Sequence, residues 1–224
     1  MAFKGFTQDA YLFFMEVVFH NSKLFMDQNR ERYKREVQGP MGELALGLLP
    51  DLLTIDANFN PRLTTIVSRI YRDTRYSKNK GRYRDHAWLS FRHPDTRIGE
   101  TFSMYAEIDP KGYGYGMGMY SGEPAFMKGL RERILANPAH FLELAEEAQK
   151  NGFAVEGESF KRDRFPDADA AIKPFLNKKS LGLSFYSNDL KRTMRPEFLE
   201  EVREGLLSLK ELYRFIVPTA KQEN

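Results

Sequence analysis

Apolar residues recur at helical spacing through the first quarter of the chain. Thr7 is placed to cap a first helix. The predicted buried stripe of this helix consists of Tyr11, Phe14, Met15 and Val18. Asn21 or Ser22 begins a second helix, which ends at Gly39-Pro40 and is followed by a third helix over 41–53. The N-terminal region is therefore predicted to be helical.

The central part of the chain changes to a pattern that is typical of strands. The run 63–71 contains four consecutive β-branched residues and predicts a strand, and 87–91 predicts another. Two further runs, 101–108 and 113–120, flank Asp109-Pro110-Lys111-Gly112, whose proline and glycine suit a type I turn. The predicted β-hairpin pairs Ile108 with Tyr113, Ala106 with Tyr115, and Met104 with Met117.

The last part of the chain alternates helical and short strand-like runs. Pro124 and Pro138 each begin a predicted helix, and Pro196 opens a long final helix. Short strands are predicted at 153–160 and 181–186.

Helices at both ends of the chain surround these central strands, so the predicted fold class is α+β with a central antiparallel sheet. No internal repeat or low-complexity linker marks a domain boundary. Residues 1–224 are therefore interpreted as a single domain, with 217–224 as a flexible tail.

Composition narrows the possible chemistry. Hydrophobic residues make up 42% of the chain and aromatic residues 13%, which is enough for a packed core. The chain has no cysteine, which excludes disulfides and thiolate metal sites, and a cytoplasmic location is expected. No run of ~20 apolar residues predicts a membrane span. The four histidines lack metal-ligand spacing, so no metal site is predicted and no cofactor is assigned.

One stretch, the basic segment at residues 69–84, concentrates positive charge. It holds seven Arg or Lys residues and one acid, a net charge of +6, whereas the whole chain carries +3. This asymmetry predicts an anionic partner, either a small molecule or an acidic protein surface. Nucleic acid fits less well, because the charge forms one short cluster.

Arginine and tyrosine side chains in the basic segment are suited to binding an anion. Guanidinium groups bind phosphate or carboxylate in a bidentate manner, and tyrosine rings offer stacking faces for a base or sugar. The candidate ligand-binding residues of the segment are Arg69, Arg72, Arg75, Tyr76 and Lys80. The same residues are equally compatible with solvated charges and one structural ion pair of Asp73.

The predicted hairpin has one apolar face and one face with few side chains. On the second face, glycine alternates with polar partners: Ser103, Tyr105 and Glu107 lie opposite Gly118, Gly116 and Gly114. Glycine weakens a strand, so three alternate glycines indicate that something approaches the backbone closely. That group is either a packed helix or a ligand. For a ligand, Tyr105, Gly114 and Gly116 join the candidate binding residues.

Two short histidine motifs could supply a general base. Arg84-Asp85-His86 and Arg92-His93-Pro94-Asp95 each hold an imidazole near a carboxylate. His86 is the catalytic candidate because it directly follows the basic segment, although loop histidines without a catalytic role fit the same motifs. Ser77-Lys78-Asn79-Lys80 matches an acyl-enzyme pattern, but its companion motifs are absent. No nucleophile is assigned, and enzyme activity stays open.

Three stretches of the chain together carry a family resemblance. The first joins Asn21-Ser22-Lys23-Leu24-Phe25 to Asn29-Arg30-Glu31-Arg32-Tyr33. The second is Arg69-Ile70-Tyr71-Arg72-Asp73-Thr74-Arg75-Tyr76-Ser77 with Lys80 and Tyr83, and the third is Gly118-Met119-Tyr120. They resemble the bacterial and fungal domain of unknown function 2461 family over roughly residues 6–215. Ser22 and Leu24 stand where Asn and Trp are expected. The resemblance implies one domain and assigns no catalytic residue.

The sequence favours a domain that binds a phosphorylated or otherwise anionic ligand between the basic segment and the strand at 114–118. The alternative is a protein-interaction or oligomerisation module whose basic surface meets an acidic partner. A concave site predicts the first function, and a flat basic face predicts the second.

Overall fold

The computed structural model of the protein describes residues 2–75, 81–94, 96–97 and 99–218. Its helices are α1 (Gln8–Phe19), α2 (Lys23–Tyr33), α3 (Gly39–Ile55), α4 (Leu63–Ile66), α5 (Pro124–Ala136), α6 (Pro138–Lys150), α7 (Lys173–Leu176), α8 (Leu190–Thr193), α9 (Phe198–Ser208) and α10 (Lys210–Ile216). Its strands are β1 (Ala87–Phe91), β2 (Ser103–Asp109), β3 (Gly112–Gly118), β4 (Ala154–Glu156) and β5 (Gly182–Ser187). Of the predicted tail, residues 219–224 lie outside the described ranges.

Within the described residues, five antiparallel strands form a sheet in the order β1-β2-β3-β5-β4. The predicted hairpin is confirmed, with Ile108 paired to Tyr113, Ala106 to Tyr115 and Met104 to Met117. The predicted α+β class is confirmed as well. None of the helices formed by the described residues has the length and apolar character needed to cross a membrane.

The apolar face of the sheet packs against α9. All six hairpin side chains predicted for this face are buried: Met104, Ala106, Ile108, Tyr113, Tyr115 and Met117. Phe198 of α9 meets the ring of Tyr113 edge-on, with 5.0 Å between ring centroids. Gly205 lies so close to the Tyr115 ring that a Cβ atom there would stand 2.3 Å from it. The opposite face of the sheet carries the polar side chains described below.

The first two helices begin where the sequence predicts. The Thr7 hydroxyl accepts a hydrogen bond from the Ala10 amide, and the Ser22 hydroxyl accepts one from the Phe25 amide. The predicted break at Gly39-Pro40 is wrong, because a π-helical turn, Lys34–Gln38, joins α2 directly to α3. Pro40 lies in the first turn of α3, and its missing N–H is tolerated at that position.

The predicted stripe of α1 is only half correct. Tyr11 and Phe14 are buried, but Met15 and Val18 are 48% and 54% exposed. The helix is rotated so that Phe13 packs against the rings of α2 and is fully buried. Helical spacing identified the element but not the orientation of its face.

The predicted strand at 63–71 is wrong. Leu63–Ile66 forms the short helix α4, because the Asn60 side chain accepts a hydrogen bond from the Arg62 amide and the Thr65 hydroxyl bonds back to the Arg62 carbonyl. These local bonds override β-branched propensity. Extended pairing begins only at Val67, which forms an isolated bridge with Leu89 of β1.

A buried carboxylate joins three distant parts of the fold. Asp56 follows the last turn of α3, and its side chain is fully buried. It accepts hydrogen bonds from His93 Nε2 at 2.6 Å and from the Tyr213 hydroxyl of α10 at 3.1 Å. The Asn58 amide also donates to it, at 3.0 Å. Asp95, the neighbouring carboxylate in the sequence motif, lies outside the described residues.

Candidate functional site

Strand register gives the sheet a second face, the polar sheet face, that is made of two rows of residues. One row runs across β1, β2, β3 and β5 as Trp88, Glu107, Gly114 and Tyr186. The next row runs in the same order as Ser90, Tyr105, Gly116 and Ser184. Both glycines of the sequence prediction therefore lie at the centre of this face.

Tyr105 reaches across the strand that contains Gly116. Its hydroxyl donates a hydrogen bond to Ser184 Oγ at 2.7 Å, and Ser184 donates to Glu156 Oε2 at 3.0 Å. The absence of a side chain at Gly116 leaves the path open for the tyrosine. Burial raises the pKa of Tyr105 to about 12, so its hydroxyl remains a proton donor at neutral pH.

Strand β5 makes the closest approach to Gly116. A Cβ atom at Gly116 would stand 2.0 Å from the Leu183 carbonyl oxygen. A Cβ atom at Gly114 would meet less crowding: 3.0 Å from the Phe185 carbonyl oxygen, 3.6 Å from Glu107 Oε1 and 3.7 Å from the Tyr186 ring. Gly116 thus has a structural role between strands, whereas Gly114 separates a carboxylate from an aromatic ring.

Glu107 is the half-buried carboxylate of this face. Its pKa is raised above the ordinary glutamate value, chiefly by burial. The nearby His86 side chain opposes this shift, and the charges of Asp109 and Glu156 add to it. Among the residues that the structure describes, the Glu107 carboxylate has no hydrogen-bond or salt-bridge partner.

Two parts of the basic segment pair with each other through an isolated antiparallel bridge between Tyr71 and Tyr83. The Arg72 amide donates to the Arg82 carbonyl at 2.9 Å, and the Arg84 amide donates to the Ile70 carbonyl at 2.8 Å. Arg84 and His86 both contact the Trp88 ring, so these two side chains lie on the polar sheet face. Arg72 lies opposite Arg82 in this pairing and is close enough to Arg84 for their charges to interact.

Arg84 is held in place by its neighbours. Its guanidinium lies over the Trp88 ring, 4.6 Å from the centroid, and its Nε donates to the Tyr71 carbonyl at 3.3 Å. His86 stacks on the same indole with 5.4 Å between ring centroids. His86 Nδ1 also contacts Asp85 Oδ1 at 2.9 Å, so the carboxylate named in the sequence motif orients the imidazole.

Arg72 and Arg84 are cations close enough to repel each other. Burial lowers the pKa of Arg84 and repulsion from Arg72 lowers it further, whereas the charge of Asp73 opposes the shift. In the described part of the chain, neither guanidinium has a carboxylate within salt-bridge distance. A bound anion would relieve this repulsion.

The match to a known protein family covers nearly the whole chain. A family model of conserved hypothetical proteins, DUF2461, matches residues 9–215. The chain belongs to this family. Two of the stretches that carry the family resemblance contact each other in the fold. The Asn21 side chain of the first forms hydrogen bonds with both the amide and the carbonyl of Tyr83 in the second. A comparison with curated proteins gave no match.

The remaining candidate residues of this DUF2461 chain lie elsewhere. Arg69 lines a groove of about 500 Å³ between α2, the π-helical turn and residues 63–71. Arg75 is exposed and pairs with Asp73 at 2.7 Å. Tyr76 and Lys80 lie outside the described residues. The polar sheet face thus brings together Tyr105, Gly114, Gly116 and His86, and Arg72 lies near its edge, beside Arg84.

Sequence reasoning missed several residues of this face. Arg84 lies within the basic segment but is not among the predicted binding residues, and the sequence predicts Trp88 only as part of a strand. Alternation from Trp88 back to Arg84 was the signal that could have joined them. Ser184 could not be found in this way, because its position depends on the pairing of β5 with β3.

Proposed function

We propose that this protein binds a phosphorylated or otherwise anionic ligand where the basic segment meets the polar sheet face. The observation that carries the proposal is the Arg72–Arg84 pair, two neighbouring guanidiniums without a salt bridge in the described residues. Guanidinium groups bind phosphate through parallel hydrogen bonds. The Trp88 ring and the Tyr71 carbonyl hold Arg84 in place before a ligand arrives, which reduces the entropic cost of binding.

The shape of the surface supports a small ligand. On the α2 side of the basic segment, a pocket of about 290 Å³ opens beside Arg72 and Arg82, next to the Arg72–Arg84 pair but not lined by Arg84. Lys23 and Arg30 also line it, and its acid, Asp27, already pairs with Arg30 at 2.8 Å. A concave site with several cations fits a small anion better than a flat protein surface does.

Inorganic phosphate is expected to raise the melting temperature of the wild-type protein. A ligand that binds only the folded state stabilises it, by about 2.7 kcal/mol at a concentration 100 times Kd. Arg72→Ala and Arg84→Ala are expected to remove most of the shift. Differential scanning fluorimetry over a phosphate series provides the measurement.

Arg97→Ala is the matched control for this experiment. It removes the same charge from a side chain that is 83% exposed. The control is expected to keep the wild-type phosphate shift. Equal shifts in the wild type, Arg72→Ala and Arg84→Ala would contradict the proposed site.

A second candidate function is protein interaction or oligomerisation. The observation that favours it is a group of exposed apolar side chains on α1 and the start of α2: Leu12, Met15, Val18, Phe19 and Leu24. Exposed apolar patches mark interaction surfaces. Sedimentation velocity separates the two functions: concentration-dependent association that Phe19→Ser abolishes supports the second, and a monomer at all concentrations supports the first.

His86→Ala is expected to change the free energy of unfolding by about 0.5 kcal/mol or less, because the side chain is 37% exposed. If a hydrolase or transferase activity is found by screening, the variant should lower it by about 10²-fold or more, as expected for loss of a general base. Chemical denaturation and a steady-state assay give the two measurements. Full activity in the variant would remove His86 from the mechanism.

A further inference from the structure

A groove of about 500 Å³, the α2–α3 groove, lies between one continuous helical wall and residues 63–71. The helical wall consists of Met26, Arg30, Lys34, Gln38 and Gly42, which follow one another at intervals of four residues from α2 through the π-helical turn into α3. In an α-helix each step of four residues advances about 40° around the axis, so such a row would turn away from the groove. A π-helical turn has more residues per turn and reduces this drift. The π-helical turn therefore keeps the row facing the groove.

The floor of the α2–α3 groove is apolar. Met26 and Ile70 are 2% and 7% exposed, and Tyr33 of the same lining is buried as well. On the opposite wall, Leu63 and Val67 are partly buried and pack against the core. The volume lies in the range of small-molecule sites. An apolar group that enters the groove would leave water, which favours binding.

Gly42 leaves the helical wall without a side chain. Glycine is among the least favourable residues inside a helix. A Cβ atom at Gly42 would meet no atom within 4 Å apart from its own helical backbone and chain neighbours. Gly47 of the same helix differs, because a Cβ atom there would stand 2.8 Å from the Leu199 side chain. Packing therefore explains Gly47 but not Gly42, whereas an occupant of the groove would explain Gly42.

The charge of the α2–α3 groove indicates which kind of molecule it accepts. The described residues of its lining include three cations, Arg30, Lys34 and Arg69, and no acid. Arg30 and Lys34 pair with Asp27 and Glu31, each at 2.8 Å. Arg69 has no side-chain hydrogen bond or ion pair with any residue that the structure describes. A guanidinium at an apolar groove suits an anionic group that is attached to an apolar body.

We infer that the α2–α3 groove binds an organic anion with an apolar carbon skeleton. The skeleton lies on the apolar floor beside Gly42, and the anionic group binds Arg69. This is a second binding site, beyond the proposed function.

The α2–α3 groove adjoins the smaller pocket of the proposed anion site. Arg30 and Tyr71 line both. Arg72 lines only the smaller pocket, and Arg69 lines only the groove. Variants of these two arginines therefore distinguish the two sites.

Isothermal titration calorimetry with four probes tests the inference. Naphthyl phosphate and hexyl phosphate carry the same anionic group on an aromatic and an aliphatic skeleton. Inorganic phosphate lacks the skeleton, and 1-naphthol lacks the charge. At least one ester is expected to bind the wild type about tenfold more tightly than inorganic phosphate, because its skeleton leaves water in the groove. Naphthyl phosphate should also bind more tightly than 1-naphthol. If no ester binds more tightly than phosphate, the inference is wrong.

Gly42→Leu is expected to fill the groove and to reduce the esters to the affinity of inorganic phosphate. Its melting temperature should equal or exceed that of the wild type, because leucine favours helices and the added Cβ atom has room. Gly42→Ala adds only a methyl group and is the size control, which should keep most of the preference for the esters. A folded Gly42→Leu variant that binds the esters as the wild type does would contradict the inference.

Arg69→Gln is expected to weaken ester binding about tenfold, towards the affinity of the neutral 1-naphthol. Arg62→Gln is the matched control, since it removes the same charge from an exposed side chain that does not line the groove. Arg62→Gln and Arg72→Ala should both keep the preference for the esters over phosphate. If Arg72→Ala loses that preference while Arg69→Gln keeps it, the esters bind at the proposed anion site and the inference about the groove is wrong. If inorganic phosphate gives no stabilisation but the esters respond to Gly42→Leu and Arg69→Gln, the proposed function fails and the groove site stands.

Discussion

Gly116→Ala is expected to lower the free energy of unfolding by about 3 kcal/mol or more. The added methyl group would stand 2.0 Å from the Leu183 carbonyl oxygen, which belongs to the backbone of β5. No rotamer change relieves such a contact, so β3 and β5 must separate. Their hydrogen bonds, and the Tyr105–Ser184 bond across Gly116, would weaken together. Urea denaturation followed by circular dichroism measures the loss.

Gly114→Ala is the matched control in the same strand and on the same face. Its methyl group would stand 3.0 Å from the Phe185 carbonyl oxygen and farther from the other neighbours. Shifts of a few tenths of an ångström relieve this contact, and the expected loss is about 1 kcal/mol. If both variants lose the same free energy of unfolding, the close approach of the Leu183 carbonyl to Gly116 is not the reason that stability requires a glycine there.

The hairpin of β2 and β3 could be predicted in register because its information is local. Asp109 and Gly112 bracket a turn of fixed length, and alternation then determines which side chains share a face. Glu107 opposite Gly114 followed directly from this register. The contact that makes Gly116 necessary comes from Leu183 in β5, and no local pattern indicates which strand pairs with β3.

The errors in the prediction have a common physical cause. Periodicity and propensity describe a segment, whereas packing partners decide its final state. The β-branched run after Leu63 became helical because of hydrogen bonds around Arg62. The face of α1 was displaced by about one residue because Phe13 packs on α2.

The sequence predicted the candidate site only in part. The basic segment identified Arg72, but Arg69 lines a different groove, between α2 and residues 63–71. Their separation by three residues already excluded a shared face on a regular strand. Positions 84 and 88 match the alternation of an extended chain, but the chain bends at Asp85, so only the fold establishes that Arg84 stacks on Trp88.

Asp56→Ala is expected to lower the free energy of unfolding by about 3–5 kcal/mol, in the range found when a buried charged partner is removed. Two donors would lose their acceptor: His93 Nε2, now at 2.6 Å, and the buried Tyr213 hydroxyl, now at 3.1 Å. The loss would also leave a cavity beside Phe59, which packs against both rings. Asp51→Ala, which removes a surface carboxylate bonded to Arg203, is the control, with an expected cost of about 1 kcal/mol or less.

The same carboxylate gives a prediction for the pH dependence of stability. Burial opposes ionisation of Asp56, but hydrogen bonds from His93, Asn58 and Tyr213 outweigh it and lower its pKa in the folded state. A carboxyl group with a lowered folded pKa stabilises the protein above its unfolded pKa, about 3.9, and this contribution is lost as the pH falls through the folded value. Asp56→Asn should therefore differ most from the wild type above about pH 5, and the difference should shrink below about pH 4. Urea denaturation from pH 7 to pH 3 provides the test, and a constant difference across that range would exclude the ionised Asp56 carboxylate as the source of stability.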